Sequence, residues 1–192
     1  MRFADNSALR LYRQTVEDFG LYSGMELSET EYQKLLTAAG EMSAKMRAVR
    51  IVSASSVSKK DLEQRLIQKG EDPQRAKDAV RWMANMDLLD DRATAQQIVR
   101  RCVGKGYGLS RAKQALYEKR IPKELWQEVL KDYPDQIEHI LSFLETHLNV
   151  NSDSRDVRKA IDALLRKGHS YSHIRSALNK LQLHADDYPE DM

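Results

Sequence analysis

Apolar residues recur three or four positions apart along most of the chain from residue 29 onward, the period of an α-helix that buries one face. Read with the local start and stop signals, the pattern predicts helices over 29–52, 58–69, 73–85, 91–103, 110–119, 123–132, 135–148, 154–167 and 171–182. Ser28 with Glu31 spells a capping box, and Ser58 with Asp61 resembles a second one. Asp72 followed by Pro73 reads as an N-cap with proline in the first helical position, and Pro122 is assigned a similar role. Gly70 and Gly168 stand where a helix ends on a residue tolerant of positive φ. Strand-like alternation occurs only in ALRLYRQ (8–14), which with RFADNS before it predicts at most a short β-hairpin at the N-terminus.

The helices repeat. Aligned in one register, SKKDLEQRLIQKGEDPQRAKDAV, SRAKQALYEKRIPKELWQEVL and SRDVRKAIDALLRKGHSYSHIRSAL superimpose Leu66, Leu116 and Leu164, at spacings of 50 and 48 residues. Lys69, Lys119 and Lys167 coincide three residues later, then Gly70, Arg120 and Gly168. The expected organisation is an N-terminal lead-in with a long helix (1–56), repeats at 57–104 and 105–152, a shortened repeat at 153–183 and an acidic tail (184–192). In this frame each helix pair is joined by the helix that follows it, 91–103 or 135–148. A helix trio of this size buries too little apolar surface to stand alone, so the expected fold is all-α: three tandem three-helix repeats stacked into an elongated, curved body.

Composition narrows the function. The chain has 192 residues, 41% of them hydrophobic, enough for a core. With Cys102 its single cysteine, it has no internal disulfide and no paired-thiol metal or redox site. No stretch approaches the ~20 apolar residues that span a bilayer, and MRFADNSALRLYRQ has no leader-like apolar run. A cytoplasmic protein is expected.

Net charge is only +2, but it is unevenly spread. Residues 98–123 carry Arg100, Arg101, Lys105, Arg111, Lys113, Lys119, Arg120 and Lys123 against Glu118 alone, whereas 124–154 carry Lys131 against seven acids. The basic segment crosses a helix end, a loop and the next helix, so its cations can converge on one surface, suited to DNA phosphates or to an acidic protein groove. Its glycines, in GKGYGLS, have neither the spacing nor the preceding strand of a phosphate-binding loop. Tyr107 and Tyr117 are too few aromatics for a dedicated single-strand stacking platform.

Catalytic constellations are weak. Asp90 and Asp91 read as a helix start rather than a metal or acid–base pair. His169 and His173 are spaced i,i+4 without a third ligand, so no metal is expected. Trp82 and Trp126 fall in core registers, and no nucleophile–base pairing is evident. The residues leave two binding readings open: a surface for an acidic or nucleic-acid partner, or a helix-turn-helix DNA-binding module built on 58–69/73–85 or 110–119/123–132.

Five stretches carry a family resemblance: VEDFGLYSGMELSETEYQKL (16–35), DLEQRLIQKG (61–70), MDLLDDRATAQQIVRR (86–101), GKGYGLSRAKQALYEKRIP (104–122) and IDALLRKGHSYSHIRSAL (161–178). In this order they resemble the RecX family of bacterial recombination regulators over about residues 16–182. The chain departs from that pattern at Thr94, where an aromatic is usual, at Ala112, where a branched apolar residue is favoured, and at Arg120, where glycine is common. The resemblance implies a monomeric, cofactor-free, non-enzymatic protein that binds the RecA filament on single-stranded DNA. It also implies restraint of that filament's ATPase, strand exchange and co-protease activity. On this reading the eight cations of 98–123 face the filament, while Lys69, Gly70, Leu89, Asp90, Asp91, Gly106, Gly108, Lys167 and Gly168 form the structural motif.

Overall fold

The computed structural model describes residues 1–3, 6–149 and 152–181. It comprises two compact units, Met1–Asp90 and Asp91–Met192, and among the described residues every extended element is an α-helix.

The first unit holds α1 (Arg13–Asp18), α2 (Glu29–Ala54), α3 (Lys59–Gln68) and α4 (Pro73–Asn85). The expected starts are present. Ser28 and Glu31 form a reciprocal capping box, with the Ser28 amide donating to Glu31 Oε2 at 2.8 Å and the Glu31 amide donating to Ser28 Oγ at 3.3 Å. Ser58 accepts from the Asp61 amide, and Asp72 accepts from the amides of Gln74 and Arg75 with Pro73 behind it. Small residues of α2, Ala44 and Ala48, let α3 and α4 approach closely, and Leu62, Leu66, Ala76, Ala79, Met83 and Leu89 complete the core. The N-terminal stretch forms a single antiparallel bridge, Arg2 to Ala8, rather than a ladder of pairs, and the second half of the expected hairpin turns into α1.

The second unit holds α5 (Asp91–Gly104), α6 (Leu109–Glu118), a 3-10 turn (Lys123–Leu125) leading into α7 (Trp126–Leu130), α8 (Ile137–His147), α9 (Ser154–Arg166) and α10 (Tyr171–Lys180). The helix expected over 123–132 is therefore a tight turn plus five α-helical residues, because Pro122 caps the 3-10 segment instead of entering the helix. Two cores form here. Ala95, Leu116 and Ile121 with Trp126, Val129 and Leu130 join α5, α6 and α7; Ile140, Leu144, Ile161, Leu164, Ile174 and Leu178 join α8, α9 and α10. Each helix pair thus closes on the helix that precedes it in the chain, α2, α5 or α8, where the sequence register paired it with the helix that follows. The acidic tail, 184–192, lies outside the described residues.

The aligned columns of the repeat coincide with helix stops. α3, α6 and α9 end with Gly70, Arg120 and Gly168 at φ of 87°, 52° and 87°. In each case that residue's amide bonds back to the carbonyl three residues earlier, and the following amide bonds back five: Glu71 to Leu66, Ile121 to Leu116, His169 to Leu164. This double bond satisfies carbonyls the helix leaves orphaned. Asp87 and Gly106 end α4 and α5 in the same way.

In the second unit the start of α6 locks onto the stop of α9. The Gly108 amide donates to the Lys167 carbonyl at 3.0 Å and the Ser110 amide to the Gly168 carbonyl at 3.3 Å. A Cβ at Gly108 would collide with the Gly168 carbonyl, and one at Gly168 would lie 2.6 Å from Arg111 Cβ. Tyr133 closes the far side of the loop, its hydroxyl donating to the Tyr107 carbonyl at 2.6 Å, and burial pushes its pKa up to about 12. His169 is buried against the Gly106 backbone, and desolvation lowers its pKa, with Lys167, His139 and His173 adding repulsion. Within this loop glycine is needed at Gly108 for backbone approach and at Gly168 for both approach and conformation.

Two predictions follow from the interlock. Gly70 has open space around its missing Cβ and Gly168 does not, so Gly70→Ala costs about 1–2 kcal/mol for the left-handed backbone alone. Gly168→Ala adds overpacking and costs about 3 kcal/mol or more; urea denaturation of both variants, read by circular dichroism, checks the order. His169 is neutral when folded and gains its proton more readily when unfolded, so its burial favours folding above the ordinary value of 6.5. That stability is lost as pH falls below 6.5. In His169→Gln the melting temperature falls less steeply between neutral and mildly acidic pH than in the parent chain.

Candidate nucleic-acid interface

α5 is a short amphipathic helix whose inward residues, Thr94, Ala95 and Cys102, pack into the unit while Arg100 and, in its last turn, Arg101 remain exposed. Cations at a helix C-terminus also lie favourably in its dipole. The stop at Gly106 then folds the chain back, so that Lys105 and Arg111 come from either side of the glycine loop toward the end of α5. Cys102 reports the convergence. Its thiol is 5% exposed and burial raises its pKa, while Arg111, Lys105 and Arg101, in that order of effect, oppose the rise. Three of the eight expected cations are therefore close enough to act on one buried thiol, whose pKa burial nonetheless raises.

The cluster is positioned by backbone rather than by ion pairs. Arg111 lies 3.8 Å from Glu118 with both side chains substantially exposed, an arrangement of little energetic weight. Lys105 sits 5.8 Å from the Tyr107 ring, within cation–π range. The interlock with α9 brings in Lys167, whose ammonium lies 4.3 Å from the Phe143 ring. Sequence reasoning placed Lys167 in the structural motif; the hydrogen bond between its carbonyl and Gly108 places it beside the basic loop as well.

The remaining cations lie elsewhere on α6. Lys113 and Tyr117, which is 69% exposed, share a face at i,i+4, and Arg120 follows the helix in its left-handed stop. Lys119, Arg120 and Lys123 gather at the far end of the helix, about 13 Å from Arg111 at 1.5 Å per residue. The basic segment is thus two clusters joined by an exposed helix face. On the acidic side Glu128 pairs with Arg92, and Asp135 lies 3.8 Å from His173.

The structural-motif residues separate by role. Leu89 is 6% exposed and belongs to the core of the first unit, and Asp91 opens α5 with a carboxylate in its first turn. Among the described residues no group of three or more His, Cys, Asp or Glu side chains is placed to hold a metal ion. No helix among them is long and apolar enough to cross a membrane. Trp126 donates to the Ile121 carbonyl at 3.1 Å and packs in the core, as its register indicates.

Comparison with known proteins joins these features to one group. A family model described as RecX, second three-helix domain, matches residues 90–130, the span of α5, α6, the 3-10 turn and α7. Regulatory protein RecX of Clostridioides difficile (strain 630) is 26% identical over 190 residues, covering 96% of this chain and 89% of its own length. Regulatory protein RecX of Vibrio campbellii (strain ATCC BAA-1116) is 28% identical over 151 residues, covering 77% and 96%. A crystal structure of regulatory protein RecX superimposes with a TM-score of 0.68 at 20% identity over 92% of each chain. That of RecX from Lactobacillus salivarius gives 0.64 at 22% identity over 76% of this chain and 98% of its own. The fold of three three-helix clusters, the matched second cluster and relatives of one name agree, and the chain is similar to the RecX family of regulatory proteins in sequence and fold.

Proposed function

We propose that this protein binds the RecA filament on single-stranded DNA as a cytoplasmic monomer and restrains its ATPase, strand exchange and co-protease activities. It acts by binding, without a cofactor or a catalytic step. The observation that carries this reading is the cluster of Arg101, Lys105 and Arg111 around Cys102, held by a glycine loop that is itself hydrogen-bonded to the Lys167 turn. Cations fixed by backbone lose less side-chain freedom on meeting phosphates or an acidic protein face than cations on mobile segments. Weak contacts from several such surfaces on one chain add through effective concentration along a repetitive filament.

The helix-turn-helix reading finds less support. Its second helix in the basic segment, α7, has five residues, about 7.5 Å of length, and spends Trp126, Val129 and Leu130 on the core. Too little of it is left to read bases in a major groove.

Titrated into RecA turning over ATP on single-stranded DNA, the protein is expected to inhibit well below one copy per RecA protomer. The triple variant Arg100→Glu, Arg101→Glu, Lys105→Glu should need at least about tenfold more protein for the same inhibition, the equivalent of one lost charge-assisted contact, with unchanged helicity by circular dichroism. Full inhibition by the folded variant overturns the assignment of the surface, and no inhibition by the parent chain overturns the function.

A further inference from the structure

The first unit contains a second cationic feature, which the sequence pattern did not mark. Between the C-terminal half of α2 and the end of α3 lies an open cleft of about 500 Å³ whose charged lining residues are Arg47, Arg50, Arg65 and Lys69. Ile51, Ala54 and Ser55 complete it, so no carboxylate lines the cleft.

The way these cations are held separates them from an ordinary solvated face. Arg47 Nε lies 3.0 Å from Glu71 Oε1, and Arg65 lies 3.0 Å from Asp61 Oδ2. Both carboxylates are almost fully covered, with side-chain exposures of 8% and 4%, while the arginine side chains remain 36% and 34% exposed. Each buried acid therefore sits against its arginine, and Arg47 Nη1 also donates to the Lys69 carbonyl, while about a third of each arginine side chain stays open to solvent. Arg50 donates at 3.0 Å to the Tyr12 hydroxyl, which orients it without an ion pair. Lys69 makes no ion pair among the described residues. The dipole of α3 accounts for cations at that helix end, but Arg47 and Arg50 lie on α2, before its last turn, where that field does not reach.

Two rows of cations, i,i+3 on α2 and i,i+4 on α3, face an anion of extended rather than point-like form. The cleft lining has no aromatic ring on which a base would stack, so phosphates and not bases are what it can read. We propose that this cleft is a phosphate-binding site for the backbone of single-stranded nucleic acid, without sequence preference and separate from the cations of α5 and α6. It is independent of the filament reading, since it requires no recombinase.

The test measures binding of the full chain to a fluorescein-labelled oligothymidylate by anisotropy across a salt series, without RecA. The variant Arg50→Gln, Lys69→Gln removes two cleft cations while keeping Arg47 and Arg65, whose loss would strand buried carboxylates. Its affinity should fall about tenfold, and the slope of log affinity against log salt should shrink by about 1.4, at about 0.7 per phosphate contact on a single strand. A control of equal charge change, Lys34→Gln, Lys77→Gln, both exposed and outside the cleft, should leave slope and affinity near those of the parent. Absence of strand binding by the parent chain, an unchanged slope in the cleft variant, or an equal loss in the control overturns the proposal. Failure of the recombinase ATPase assay leaves it standing, so the two readings fail separately.

Discussion

The last carbonyls of an α-helix have no amide within the helix to bond, and a chain built mostly from helices of ten to fourteen residues meets that problem every dozen positions. Here α3, α4, α5, α6 and α9 meet it with one device: a residue in the left-handed region and two amides turned back to the helix end. The device stops the helix and redirects the chain in two or three residues, which lets each short helix pair pack closely on the helix before it. Without it the pairs would be separated by longer loops, and cores as small as Ala95, Leu116 and Ile121 with their partly buried neighbours would not close.

The same device sets where charge can stand. A stop leaves its flanking backbone compact and glycine-rich, so the chain just past one stop can touch another stop through the main chain, as Gly108 and Gly168 do. Side chains excluded from that contact point outward around it. Arg101, Lys105, Arg111 and Lys167 are the residues on either side of two such stops, and their gathering is a by-product of turn chemistry as much as of electrostatics. The glycines of GKGYG are therefore structural, yet the loop they build holds the cations.

Much of this was legible in the sequence, for reasons that differ by element. Capping residues act on amides two or three positions away, so Ser28, Glu31, Asp72 and Gly70 announce helix ends from sequence alone. The repeat was legible because each stop needs the same residue types at the same offset, and Arg120 shows the tolerance of that rule: it takes φ of 52° where its two counterparts are glycine. Which helix joins which pair was not legible, because amphipathic periodicity says that α5 has a buried face without saying what covers it. The α2–α3 cleft was invisible for a similar reason. Arg47, Arg50, Arg65 and Lys69 are unremarkable along the chain, and Lys69 read as part of a turn; only packing brings the two rows together and buries Asp61 and Glu71 behind them.

The two cationic features are held differently, and the difference bears on what each can bind. Around Cys102 the charges are fixed through backbone and stand beside Tyr107, an aromatic edge and a partly covered loop, so a partner meets a shaped surface as well as a charge. In the cleft, Arg47 and Arg65 already stand against buried acids, so what those two offer a ligand is directional hydrogen bonding more than bulk positive potential. Buried pairs of this kind are screened by salt far less than exposed ones, and the arginines keep their aim at ionic strengths that dissolve a loose basic patch. A surface of the first kind favours recognition of a particular protein face, whereas one of the second kind favours a repeating phosphate chain. On the proposed function, the two features divide the work by chemistry: the shaped loop for a protein face, the cleft arginines for phosphates.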